Sequence, residues 1–158
     1  MASRIHSILP RVVAILALPL FGVLVAAVSW YNRPYVVPSD SSIFDAVRGR
    51  WAWTGNPDGC QAEWHEISFS PDHRVMLITS AKPYEGADGK LDSIATYDIQ
   101  AHTSSWIRGA IRGEQRLTDA GQPVVWDLVL RSENRYAWHR TDWGAGGYTR
   151  AIERCPAS

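Results

Sequence analysis

The sequence predicts an all-β fold: an eight-stranded antiparallel up-and-down barrel, preceded by one N-terminal transmembrane helix and a short helical turn. Three observations lead there. From Gly49 onward no helical period survives, and short runs rich in Trp, Tyr, Val, Ile and Thr take its place. Clusters of Gly, Pro, Asp and Asn separate those runs at hairpin spacing. Ahead of them, Val12 to Tyr31 is a stretch of twenty residues without a charge.

As a helix, the stretch from 12 to 31 would be about 30 Å long, enough to cross the hydrocarbon core of a bilayer. Arg4 and Arg11 precede it, Arg33 follows it, and Trp30-Tyr31 sit where amphipathic rings favour an interface. This arrangement predicts a signal-anchor over residues 1–31 with a cytoplasmic N-terminus and an exported body. Pro19 near its middle is tolerable in lipid. Ala27-Val28-Ser29 offers a small-residue cleavage pattern, so secretion after signal cleavage is the alternative. The arginine-heavy basic set (14 Arg, 2 Lys) fits a high-GC bacterial source. The expected location is therefore a bacterial inner membrane, single-pass, with the barrel domain in the periplasm.

Residues 32–40 read as a linker, held extended by Pro34 and Pro38. The domain proper is expected over residues 41–158. Ser41 to Arg48 predicts one or two helical turns, capped by Asp40 or Ser41 and ended by Gly49, with Ile43, Phe44 and Val47 on one plugging face. Eight strands are then expected: Arg50–Thr54, Glu63–Ser68, Arg74–Thr79, Ser93–Ile99, Ser105–Glu114, Val124–Leu130, Arg135–Thr141 and Tyr148–Cys155. Ser70-Pro71-Asp72-His73, Asp119-Ala120-Gly121 and Ser132-Glu133-Asn134 are legible turns, and Gly144–Gly147 separates the last two strands. Ser80 to Asp92, with Pro83, Gly86 and Gly89, reads as a flexible loop over a rim. No second helix is expected, which excludes a parallel βαβ pattern. A meander of this kind hides its edges by closing into a barrel, with a two-sheet sandwich as the rival.

The charge balance limits function. The chain has 16 basic and 16 acidic residues, and 13 basic against 16 acidic follow Arg33. Such a body lacks the basic surplus that neutralises phosphates, so no nucleic-acid partner is expected. Cys60 and Cys155 are the two cysteines, without CxxC spacing, and in an oxidising compartment they predict a disulfide.

Catalytic signals are sparse. His65-Glu66 has Phe69 where a zinc helix would need its second His. His73, His102 and His139 show no metal-ligand spacing, and no nucleophile elbow, phosphate loop or dinucleotide fingerprint occurs. Gly109 and Gly113 read as bends at a barrel corner. His139, Arg140 and Asp142 are the densest polar cluster, read as a solvated strand end with a surface ion pair. The chain is expected not to be an enzyme and to use no metal or cofactor. Acid/base chemistry near His139 and Asp142 is the least favoured reading.

Period-two alternation turns Val124, Trp126, Leu128 and Leu130 inward on the sixth strand, and Tyr136, Trp138 and Arg140 on the seventh. Trp53 joins them from the first. A barrel of eight strands is just wide enough to fill with side chains or to hold one small ligand. So many rings weight the expectation towards filling. If the interior is hollow, Trp53, Trp126, Tyr136, Trp138 and Arg140 are the expected ligand-binding residues. An inward Arg140 needs a partner: an acidic ligand, Asp127, Glu114 or another protein carboxylate.

The helical turn followed by Gly49-Arg50-Trp51 on the first strand, with a meander behind it, resembles the start of lipocalin and calycin-like barrels. Thr141-Asp142-Trp143 matches a second motif of that family, one hairpin later than its usual place. The resemblance spans roughly Ser41 to Cys155. It implies a lipocalin-like barrel closed at its lower end by Trp51, with Arg150 of Tyr148-Thr149-Arg150 packed over the indole. Two functions follow as expectations. The first is a membrane-tethered extracytoplasmic accessory or assembly subunit, docking its small barrel onto a larger membrane protein complex. The alternative is a lipocalin-like binder of a small apolar or acidic ligand.

Overall fold

The structure, a computed structural model, describes residues 33–85 and 90–157. The expected anchor over residues 12–31 lies outside the described residues. The body is a closed antiparallel barrel in which every strand pairs with its neighbours in sequence and the last returns to the first. Its strands are β1 (Gly49–Trp53), β2 (His65–Phe69), β3 (Val75–Glu85), β4 (Leu91–His102), β5 (Trp106–Ile111), β6 (Trp126–Ser132), β7 (Arg135–Arg140) and β8 (Ile152–Arg154). Trp51 lies opposite His65 on one side and Arg154 on the other, which closes the ring. The meander expectation holds, and the sandwich does not.

The helical turn is α1 (Ile43–Val47). Its cap is Ser42, whose hydroxyl accepts the Phe44 N–H at 3.1 Å, rather than Asp40 or Ser41. Gly49, with φ at +113°, lets the chain leave the turn and join β1. Ile43, Phe44 and Val47 are all buried, so the turn does plug one end of the barrel. The Phe44 ring stacks on His73 at 4.2 Å and meets Phe69 edge-on at 5.1 Å. The preceding linker is also tied down. The N–H groups of Tyr35 and Val37 donate to the carbonyls of Leu130 and Ser104, both at 2.8 Å.

Three elements differ from expectation. A single helical turn, α2 (Gly59–Ala62), follows β1 where no second helix was foreseen. It is too short to show a period, and a Cβ on Gly59 would come within 2.8 Å of the Ala52 side chain. Residues 80–85 and 91–92, expected within a loop, are instead the outer half of a long hairpin. Tyr84 pairs with Asp92 and Glu85 with Leu91, after a register shift between Thr79 and Tyr84. Pro83 falls in that unpaired interval, where its missing N–H costs no ladder bond. Residues 86–89 lie outside the described residues. Finally, β8 is shorter than expected, because the chain before it reaches only as far as a Thr149 N–H bond to the Trp138 carbonyl at 2.8 Å.

The core alternates as the pattern requires. Ile67, Met76, Ile107, Leu128, Leu130, Tyr136 and Ile152 are buried in the interior cluster, with Trp126 packed against it and partly exposed. The outer face of β6–β7 is less polar than alternation suggests. Val129 and Ala137 are buried there, and Asp127, also buried, is held by the Arg108 guanidinium through bonds of 2.7 and 2.9 Å.

Candidate functional site: an open cavity above a sealed floor

The two ends of the barrel are built differently. At the α1 end, the Trp51 indole N–H donates to the Val47 carbonyl at 2.8 Å. The Arg154 guanidinium lies 4.2 Å over that indole and donates to the carbonyls of Arg48 and Ala46. The closing arginine is therefore Arg154, which corrects the expectation of Arg150. Residues 150, 152 and 154 share one face of the chain, and only the β1–β8 register decides which of them meets Trp51. Arg150 lies 5.5 Å over Trp53 instead. A planar cation that covers an indole while satisfying carbonyls seals an apolar end well.

Among the described residues the opposite end is open. A cavity of about 900 Å³ descends from it, walled by Trp53, Ile78, Tyr97, Trp138 and Ile152. That volume lies within the range of small-molecule sites, so the expectation of a filled interior is corrected at this end. The hairpin β3–β4, with strands of 11 and 12 residues between neighbours of 5 and 6, extends one wall beyond the adjacent strands. Tyr97 and Trp138 stack nearly parallel with centroids 5.3 Å apart, and Tyr136 meets Trp138 edge-on at 5.9 Å.

The floor is a buried polar pair. Tyr136 Oη lies 2.5 Å from His65 Nε2, and Tyr136 also packs edge-on against Trp51 at 5.0 Å. Burial pushes the His65 imidazole down to about 4 and pushes the Tyr136 and Tyr97 hydroxyls up. All three are neutral at pH 7, and bringing a charge to this depth would be costly.

Charge is confined to the rim, where three carboxylates (Glu85, Asp92, Glu114) and two guanidiniums (Arg112, Arg116) face the cavity. Both guanidiniums are committed. Arg116 binds Glu114 through Nε and Nη2 at 2.8 and 2.5 Å, and Arg112 binds Asp98 through the same nitrogens at 3.0 and 2.7 Å.

Of the residues expected to bind a ligand, Trp53, Tyr136 and Trp138 line the cavity, and Trp126 and Arg140 do not. Trp126 faces inward but is boxed between Trp138 and Trp143, at 6.3 and 5.6 Å. Its indole nitrogen is buried without a partner among the described residues. Of the partners expected for Arg140 it is another protein carboxylate, Asp142, that binds it, through two contacts of 3.0 and 2.7 Å. His139 points the other way and contacts the Gly147 carbonyl at 2.7 Å, so the cluster of 139, 140 and 142 is not one site.

Sequence reasoning missed His65 and Tyr97. Both carried a usable signal, because His65 shares its parity with Ile67 and Phe69, and Tyr97 with Ala95 and Ile99. Among the described residues no group of three metal-ligating side chains comes together, and no helix is long and apolar enough to cross a membrane. Cys60 on α2 and Cys155 just after β8 form a disulfide with Cα atoms 5.5 Å apart. Compared with known proteins, the chain matches no family model and no curated protein.

Proposed function

We propose that this chain is a non-catalytic binding protein whose lipocalin-like barrel receives a small, largely apolar molecule through its open end. The observation that carries the reading is the cavity: about 900 Å³, walled by aromatic and aliphatic side chains above a neutral floor. Apolar walls supply affinity in such a site, and a few placed polar groups supply orientation. Trp53, Tyr97 and Trp138 are the wall contacts, and the His65–Tyr136 pair is the polar point at the base. The disulfide supports an exported body, since such bonds persist outside the reducing cytosol. Together with the uncharged stretch over residues 12–31, it favours a membrane-tethered domain in the periplasm, with secretion after cleavage as the alternative. Docking onto a larger membrane complex rests on the uncharged stretch and the sparse catalytic signals as well as on a well-filled barrel, and the open cavity weakens only the last of these.

Calorimetric titration of the full-length chain in nanodiscs, with empty nanodiscs as the blank, tests the reading. The probe is 4-phenyl-1-butanol, neutral and slim enough for the bore. Saturable one-to-one binding is expected. Trp138→Ala should weaken it about tenfold, the value of one good aromatic contact. Arg140→Ala, outside the cavity, should leave it unchanged. Equal loss in both variants, or no saturable binding, would count against the cavity as the site.

A further inference from the structure

Which molecules the cavity selects is written in its rim. Resting on the reading of the cavity as a binding site, we infer that its ligand is cationic: an apolar body carrying an amine or quaternary ammonium, held with the positive end at the mouth between Tyr84, Asp92 and Glu85.

Four observations converge on that class. Both guanidiniums that line the cavity are paired with carboxylates, and Arg150, which lies 5.5 Å over Trp53, does not line it. Arg112 is turned to Asp98, which alternates with the inward Tyr97 and does not line the cavity. Arg116 is turned to Glu114, whose carboxylate is almost wholly covered, with 3% of its side chain exposed. An acidic ligand would meet guanidiniums whose charge a carboxylate already offsets, with only their remaining N–H groups to offer. Lys90, on the same hairpin, is itself engaged and does not line the cavity.

The carboxylates of Asp92 and Glu85 remain as the charges facing the mouth that no guanidinium of the rim binds. Asp92 spends Oδ1 on the Ile94 N–H at 2.9 Å, which fixes its carboxylate towards the rim. Its charge reaches Tyr84, whose hydroxyl is pushed up first by burial and then by the neighbouring Asp92. The rings of Trp53, Tyr97 and Trp138 wall the same cavity. Aromatic rings attract a cation placed over them, and the attraction grows once water is excluded. At the bottom, the neutral His65–Tyr136 pair offers nothing to a full charge and favours the apolar end of the molecule. The cavity is thus graded from an anionic mouth to a neutral base, and a cationic amphiphile fits that gradient in one orientation.

The test is a headgroup series on one skeleton: 4-phenylbutylamine, 4-phenyl-1-butanol and 4-phenylbutanoate, titrated by calorimetry into the full-length chain in zwitterionic nanodiscs. The amine should bind about tenfold more tightly than the alcohol, and the acid more weakly than either. Asp92→Asn and Glu85→Gln, both conservative changes at exposed positions, should each shrink the gap between amine and alcohol. Added salt should shrink the same gap. An acid that binds as well as the amine, or a gap untouched by both substitutions, overturns the assignment of class while the cavity stands. Failure of all three compounds to bind overturns the cavity reading with it.

Discussion

Arg154 holds the sealed end together. Its guanidinium covers the Trp51 ring and satisfies the carbonyls of Ala46 and Arg48, so Arg154→Ala uncovers an indole and strands two acceptors at once. The expected cost is about 2–3 kcal/mol, read as a lower urea midpoint. Arg150→Ala removes only a looser contact over Trp53 and should change stability by no more than about 0.5 kcal/mol. His65 makes a second prediction at this scale. The fold holds it neutral, with its pKa pushed from 6.5 down to about 4, whereas the unfolded chain protonates below about 6.5. Its contribution to stability is therefore complete above about pH 6.5. It falls as pH drops, by about 3 kcal/mol in total near pH 4. Denaturant titrations between pH 7 and pH 4.5 should show that slope, and His65→Gln should flatten it. An unchanged slope in the variant would assign the acid sensitivity to other groups. Legibility at this scale depended on parity. Trp53, Tyr136 and Trp138 could be placed inside from alternation, and Trp51 from the Gly49-Arg50-Trp51 resemblance. Arg154 could not be told from Arg150, because both have the same parity and the choice belongs to register.

Element by element, the turns explain what was readable. Type I geometry at Ser70–His73, with the His73 N–H on the Ser70 carbonyl at 2.9 Å, follows from its proline and aspartate. The reading of Gly109 and Gly113 as bends divides into two physical causes. Gly113 takes φ +76°, which a side chain resists. Gly109 lies in β5 against Tyr97, where a Cβ would come within 3.3 Å of the tyrosine's own. The long β3–β4 hairpin was hidden because Pro83 and the glycines after it imitate a loop. Its pairing resumes beyond a bulge that no local propensity announces. The plug α1 was legible from its apolar face, and it gives a direct test. Phe44→Ala empties a buried ring site between Phe69 and His73 and should cost about 3–4 kcal/mol. A loss below about 1 kcal/mol, measured by urea denaturation, would mean that α1 covers the barrel end without supporting it.

For the barrel domain as a whole, closure is the organising fact. Eight strands joined in order leave no edge, and the disulfide ties α2 to the end of β8 across a sequence separation of 95 residues. In the chain-entropy account, closing so long a loop contributes about 4–5 kcal/mol. Cys60→Ala with Cys155→Ala should lower stability by that order, and reduction of the wild type should reproduce most of the effect. At this scale the strand count and the pairing of the two cysteines were legible in the sequence. Hollowness was not, since alternation says which rings point inward but not how deeply they meet. Trp51 and Tyr136 pack together at the base, while Trp53, Tyr97 and Trp138 line the cavity above. The most direct test of the account is to locate a bound probe by nuclear Overhauser contacts. The ring protons of 4-phenyl-1-butanol should contact Trp53, Tyr97 and Trp138 inside the barrel. Contacts confined to Trp143 and Tyr148 on the outer surface would contradict a ligand-receiving interior.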